Sequence, residues 1–380
     1  MHKTQEIIKI SKDEWLKIQN LALKTLEQNK QNINQETILK TASDIFIEEK
    51  KAELFRKNQK ELVNFKFYFL PKFKITKMSV EEIDVEAESF FFEKKDIENI
   101  DFMKYIKDIK FQIIDNYQTT VDTFLMTYIK NYPFKKPRKN GELIQENDIV
   151  TFEITADNKP KLTKTLVANS NASKDAFENF VINQKVGETF TKSLETPEGK
   201  INVNINPINV QSQHFADITD ENCKELGIEE IKNLKDVKEY IKKTIMIQII
   251  SDSLVSFGSK IIDNLSKDER DLSFSQEFID AELSNFNFDN NFVGDKIETA
   301  IQGLKSYLWT NYLTVLNDIK VTKEDLQQEY EIVSRAVGAN NDERFADPRF
   351  LGQAVFYKKI AKIYGKLIQP EFLEKFKDYI

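Results

Sequence analysis

Apolar residues first recur at helical spacing over residues 11–30, where Trp15, Ile18, Leu21, Ala22 and Leu26 stand three or four apart. Ser11 is placed to cap that segment, because its hydroxyl can accept from the free amides of a first turn. After the polar stretch QNINQ the spacing returns over 37–57, with Ile38, Leu39, Ala42, Ile45, Phe46 and Leu54 on one broad face. The period then falls to two. In VNFKFYF, Val63, Phe65, Phe67 and Phe69 alternate with Asn64, Lys66 and Tyr68; in IDVEAESFF, Ile83, Val85, Ala87 and Phe91 share one parity. Such alternation predicts a half-buried antiparallel pair. Residues 1–112 therefore read as one small α+β domain.

A helix is predicted over 115–132, from Val121, Phe124, Leu125, Tyr128 and Ile129, and it forms the body of a linker over 113–136. The stretch YPFKKPRKNGE carries two prolines, a glycine and a basic run, and reads as a solvated hinge. Residues 137–211 change texture. DIVTFEIT and INVNINPINV are short alternating runs, and TPEG is a turn, so this part is a β-rich domain. Residues 212–380 read as helical, with segments predicted over 233–265, 275–287, 295–318 and 348–367, and a start at the capping box TKED, Thr322 to Asp325. The fold class is thus α+β and multidomain, with an all-α C-terminal part.

Composition narrows the chemistry. The 380 residues carry a net charge of −7, and only six of the 55 Lys+Arg are Arg. That balance argues against a dedicated nucleic-acid binder, since bidentate phosphate recognition favours arginine. Ten glycines and no GxGxxG or GxxxxGK[ST] leave no nucleotide-phosphate loop. One cysteine, Cys223, and two histidines, His2 and His214, exclude a disulfide framework and a structural zinc cluster. Cys223 reads as a small buried hydrophobe at a helix start, and His214 as a structural residue. The N-terminal residues lack a secretory core, and the richest apolar window, TIMIQIISDSLVSFGSKII, is broken by Gln248, Asp252 and several serines. The expectation is a soluble cytoplasmic protein with no membrane contact.

Four local strings add to the order of parts. ISKDEWLKIQNLALKTLEQN opens the chain. FENFVINQKVGETF holds Phe177, Glu178, Val186, Gly187, Glu188 and Phe190 at the spacing of an FKBP-like stretch. HFADITDENCKELGIEEIKNLKDVKEYIKK follows, then IKVTKEDLQQEYEIV. In this order they resemble the trigger-factor family of bacterial ribosome-associated chaperones, over nearly the whole chain. The resemblance implies a ribosome-binding-like domain over 1–112, a linker helix over 113–136, a degenerate FKBP-like domain over 137–211 and an elongated helical chaperone domain with arms over 212–380. It implies an ATP-independent holdase or foldase, with no cofactor, metal or catalytic residue. Apolar segments of unfolded or nascent chains would be shielded in a cradle between the N- and C-terminal parts. The implied partners are those polypeptides, the ribosome, and a second copy in a homodimer; membrane and sequence-specific nucleic acid are not among them. The alternatives are a peptidyl-prolyl isomerase with residual FKBP-type activity, and an assembly factor for one dedicated partner.

Two departures from the family matter. Its ribosome-docking loop, GFRxGKxP, falls where this chain reads QNKQNINQETIL, without Gly, Arg or Pro. The family's docking residues cannot be carried over, and Lys24, Lys30 and Lys40 are the nearby cations left for a ribosome contact. An FKBP-type site also needs several aromatic walls and an acid. From residue 141 to 239 there is no Tyr or Trp, the β domain has only Phe152, Phe177, Phe180 and Phe190, and Asp157 is the nearest acid.

A chaperone must show apolar surface, and the chain has 29 Phe against 2 Trp. Phe90, Phe91 and Phe92 end a strand, so at least one is expected to point away from the core, and Phe90 and Phe92 are candidate client contacts. Phe286, Phe288 and Phe292 alternate with Asn and Asp and keep no single helical face; they read either as client contacts or as plugs of a loop.

Overall fold

The structure, a computed structural model, describes residues 1–156, 160–174, 176–196, 199–267, 272–283, 294–337 and 347–380. Its first elements are β1 (His2–Lys9), α1 (Lys12–Gln28), α2 (Gln35–Gln59), β2 (Lys66–Tyr68), β3 (Lys72–Met78) and β4 (Ile83–Glu93). The single turns α3 (Lys94–Ile97) and α4 (Met103–Ile106) follow, then α5 (Tyr117–Ile129), β5 (Tyr132–Pro137), β6 (Ile149–Thr155) and β7 (Leu162–Val167). Next come α6 (Phe177–Phe180), β8 (Phe190–Thr196), β9 (Gly199–Ala216) and α7 (Leu234–Ser266). The chain closes with α8 (Gln276–Leu283), α9 (Lys296–Leu316), α10 (Lys323–Val337), α11 (Pro348–Ile368) and α12 (Pro370–Lys375). These elements form two compact units, residues 1–113 with 247–380, and residues 114–246.

The first unit is built on β4. It pairs antiparallel with β1 along one edge, and on the other edge with β3 over its first half and β2 over its second. Alternation puts Ile83, Val85 and Ala87 on one face, where Trp15, Ala22, Ala42 and Phe46 of the α1–α2 hairpin cover them. α1 starts after Ser11 as its sequence predicts, and α2 starts at Gln35, two residues earlier than the apolar spacing predicts, because Asn34 within the polar break is its cap. The Ser11 side chain accepts from the Glu14 amide and Asn34 from the Thr37 amide, each in a reciprocal capping box.

Two expectations are corrected here, and one strand was not foreseen. VNFKFYF is strand only over Lys66–Tyr68: a 3-10 turn over Lys60–Asn64 leads out of α2, and Phe65 takes a left-handed backbone, φ 53, leaving Val63 77% exposed. The N-terminal strand β1, whose pattern is almost wholly exposed, had no alternation to announce it. None of Phe90, Phe91 and Phe92 points into solvent; they are 1%, 7% and 2% exposed.

The helical part of the first unit is knit by close approaches. Phe111 stacks between Phe257 of α7 and Phe372 of α12, with ring centroids 3.9 and 4.3 Å away. Gly258 of α7 lies where any Cβ would fall on the Tyr357 main chain of α11, 2.7 Å from its carbonyl carbon.

In the second unit β9 runs for 18 residues and pairs in turn with β8, β6 and β5, giving a five-stranded sheet. Its apolar face holds Val150, Phe152, Leu166, Val203, Ile205 and Val210. The basic run expected to be a hinge is strand β5, at the sheet's edge, where Pro133 and Pro137 remove no ladder bond that the sheet needs. Arg138, just past it, donates through Nε and Nη2 to Asp148, whose side chain is 2% exposed and also accepts from the Gln145 amide. A second core joins α5 to the start of α7, through Leu125, Ile129, Phe134, Ile218, Val237 and Ile241. Cys223 is buried in it, as its reading required; His214 lies exposed on β9.

Candidate polypeptide-binding surfaces

The richest aromatic cluster lies on the second face of the first sheet. Phe69 meets Phe92 at 6.1 Å, Phe274 at 5.6 Å, Phe278 at 5.1 Å and Tyr307 at 5.7 Å between ring centroids. Phe90 meets Phe278 at 4.9 Å, and Phe67 meets Tyr312 at 5.7 Å. α8 supplies Phe278, which is 0% exposed, and α9 supplies both tyrosines. Burial pushes the Tyr307 phenol above its ordinary pKa, and its hydroxyl donates to the Tyr68 carbonyl at 3.2 Å. The edge of the cluster is ionic. Lys3 bridges Glu277 at 2.8 Å and Glu88 at 2.6 Å, and Lys72 bridges Glu282 at 2.7 Å. The hydrogen bonds to Glu277, then Glu88, hold the Lys3 pKa above its ordinary value. Of the candidate client contacts by sequence, Phe90 is therefore covered by Phe278 of α8, and Phe92 by Phe69 and Phe274, the latter just before α8. Phe91 is sandwiched on the opposite face between Tyr68, at 4.5 Å, and His2, at 5.3 Å.

The segment at the position of the family's docking loop is the turn between α1 and α2. Lys24, Lys30 and Lys40 are all exposed there, on α1, the turn and α2 respectively. Lys30 has φ 54, and two bonds close a Schellman motif around it: Gln31 N–H to the Leu26 carbonyl at 3.0 Å, and Lys30 N–H to the Glu27 carbonyl at 3.1 Å. A side chain there carries the left-handed penalty that glycine avoids. Lys30→Gly is expected to stabilise the first unit by about 1 kcal/mol, read as a higher urea midpoint at unchanged m-value. A midpoint equal to or below that of the native chain would contradict this account of the turn.

In the β sheet of the second unit the four phenylalanines form a chain of rings. Phe177 stacks on the fully buried Phe152 at 5.5 Å, Phe180 lies 4.8 Å from Phe177, and Phe190 lies 6.2 Å from Phe180. Lys164 and Lys192 sit over Phe177 and Phe180, at 5.4 and 5.0 Å. The rings are thus spent on one another and on lysine ammonium groups. Asp157, and the trio Phe286, Phe288 and Phe292, lie outside the described residues.

The exposed aromatic surface that sequence reading missed is on α5. Val121, Leu125 and Ile129 bury one face, while Phe124 and Tyr128, one turn apart, are 59% and 42% exposed. The signal was present: five large apolar positions in nine residues are more than one buried face can use. Desolvation, then the Tyr132 hydroxyl, pushes the Tyr128 phenol well above its ordinary pKa, and their rings lie 5.1 Å apart.

Other chemistry is quickly placed. A cleft of about 130 Å³ between α7, α10 and α11 holds the ion pairs Lys358–Glu329 and Lys359–Asp325. Burial, then Lys358 and Lys359, lowers the pKa of Lys362 in the same cleft. Among the described residues no three His, Cys, Asp or Glu come together as metal ligands. α7 is long and apolar enough to cross a membrane by length and composition, and 56% of its most apolar window is buried inside the protein.

No protein-family model matches the chain. It is 26% identical over 210 residues to the trigger factor of Mycoplasma capricolum, covering 51% of this chain and 48% of that protein. The chain thus spans about half the length of that relative. It is 21% identical over 309 residues to the trigger factor of Mesoplasma florum, covering 70% of each. It is 23% identical over 347 residues to that of Aquifex aeolicus, covering 84% of this chain and 66% of that protein. A solved structure, described under promiscuous substrate recognition in the folding and assembly activities of the trigger factor chaperone, matches 97% of both chains at 14% identity and a TM-score of 0.39.

Proposed function

We propose that this protein is an ATP-independent chaperone of the trigger-factor kind, holding apolar segments of unfolded or nascent chains by weak contacts repeated over its surface. The observation that carries the reading is the second apolar stripe of α5. Phe124 and Tyr128 face solvent on a helix whose opposite face is already buried. An exposed aromatic pair on a rigid element is an interaction surface, because burying what remains open of it is favourable: Phe124 keeps 59% of its surface and Tyr128, partly covered by Tyr132, keeps 42%. The similarity to trigger factors along up to 84% of the chain supports the same reading. In it, the 1–112, 113–136, 137–211 and 212–380 parts keep the functional order of that family. Several such contacts on one scaffold raise the effective concentration of the next, so individually weak contacts can retain a client. The surrounding Lys, Asp and Glu, 31% of the chain with Arg, keep the loaded complex soluble.

The test is aggregation of a chemically denatured protein followed by light scattering, without ATP. Equimolar native chain at micromolar concentration is expected to slow the rise. Phe124→Ser combined with Tyr128→Ser is expected to lose most of that effect while leaving the far-UV circular dichroism unchanged. A scattering curve unaltered by the native chain ends the chaperone reading; full activity in the double variant moves it off α5.

A further inference from the structure

We propose that the aromatic face formed by β2, β4 and Phe69 is a groove for an acidic, Phe-bearing amphipathic helix, and that α8 is its resident occupant. On the chaperone reading, on which this rests, such segments of unfolded chains are the ligands that exchange with α8.

The groove has a floor, a wall and two charged ends. Phe69, Phe90 and Phe92 make the floor, and Tyr307 of α9 makes the wall. Its occupant presents Phe278, on α8, and Phe274, two residues before α8 begins. Phe274 packs on Phe69 and Phe92 at 5.6 Å each; Phe278 packs on Phe69 at 5.1 Å and on Phe90 at 4.9 Å. Two lysines of the sheet then fix the register. Lys3 takes Glu277 at 2.8 Å, and Lys72 takes Glu282 at 2.7 Å. The same lysines lie against the rings, Lys3 5.4 Å from the Phe90 centroid and Lys72 5.9 Å from that of Phe278. The site therefore recognises a Phe-x3-Phe pair with carboxylates on its flank.

Two properties make the occupant exchangeable. α8 has eight residues, shorter than the dozen or so that hold a helix in isolation, so its helicity depends on the groove. Its fastening is in part ionic, and Glu277 is 60% exposed in its pair. The exposed Lys3–Glu277 pair contributes little net stability, whereas the nearly buried Lys72–Glu282 pair, 14% and 10% exposed, can be exchanged only for a carboxylate that the incoming helix brings to Lys72.

The probe is a fluorescein-labelled peptide of residues 273–283, SFSQEFIDAEL, added to the full chain. Glu277→Lys with Glu282→Lys sets lysine against lysine at both ends of α8 and frees the groove. That variant is expected to bind the peptide at least about tenfold more tightly than the native chain, and a peptide with both Phe replaced by Ala to lose about tenfold or more. The native chain gives the second measurement: under excess peptide, amides of 276–283 are expected to exchange faster while those of 296–316 do not change. Failure of both chains to bind, equal binding of the peptide lacking Phe, or unchanged exchange over 276–283 would each overturn the proposal and make α8 a permanent part of the core. Slowed aggregation without peptide binding sinks the groove alone. Peptide binding without any effect on aggregation leaves the groove standing and sinks the chaperone reading.

Discussion

Gly258→Ala is expected to destabilise the first unit by about 3 kcal/mol, at the upper end of what overpacking costs. α7 and α11 touch through main chain at this point, so the added methyl would lie 2.7 Å from the Tyr357 carbonyl carbon. A side-chain clash can be relieved by a rotamer; this one requires two helices to separate. Their separation would loosen the packing that buries Phe257, Ile261, Val355 and Ile360. Thermal unfolding should show one transition lowered by roughly 6–12 °C. Hydrogen exchange should place the loss in 247–380 and in 1–113, leaving amides of 149–167 as protected as before. A variant that melts with the native chain would mean that the helices do not meet at Gly258.

Asp148→Ala is expected to cost about 3 kcal/mol in the second unit, because it leaves Arg138, a guanidinium only 16% exposed, without its counter-charge. The Gln145 amide loses its acceptor as well. Removing both partners is a smaller injury than removing one, so Arg138→Ala with Asp148→Ala should recover part of the loss. The double-mutant cycle measures that coupling. Additive losses in the cycle would reduce the pair to two unrelated contacts. Gly258→Ala and Asp148→Ala strike different units, so each should shift its own transition and spare the other.

How far the sequence could be read depended on where each signal lay. The α1–α2 hairpin was legible because its caps and its apolar spacing are local: Ser11 and Trp15 stand within a few residues of what they determine. The parity of β4 was equally plain. Parity says which residues share a face, however, and does not say whether a second layer covers the other one. The layer that buries Phe90 and Phe92 is α8 and the residues just before it, far along the chain, and nothing near residue 90 announces it. Phe65 in a left-handed turn has no sequence signature, since glycine or asparagine would be the usual residue there. The basic run misled because proline is a sound sign of a break in most contexts. At an edge strand it is tolerated, and β5 is such a strand. Pro207 within β9 sits beside the register shift at Thr151/Phe152, the other place where a sheet accepts proline. On α5 the periodic spacing was read as that of a linker helix, and its surplus of apolar positions was the clue to the exposed pair.

The first unit is assembled from both ends of the chain, with the second inserted between them. Synthesis from the N-terminus therefore produces the β2–β4 phenylalanines long before their cover. At roughly 5–20 residues per second, on the order of ten seconds or more separates Phe92 from Phe278. Through that interval the growing polypeptide displays the kind of greasy, half-finished sheet that other proteins must be guarded from. The window in which a nascent copy is open to wrong pairing therefore closes only once the chain has been made to beyond residue 278.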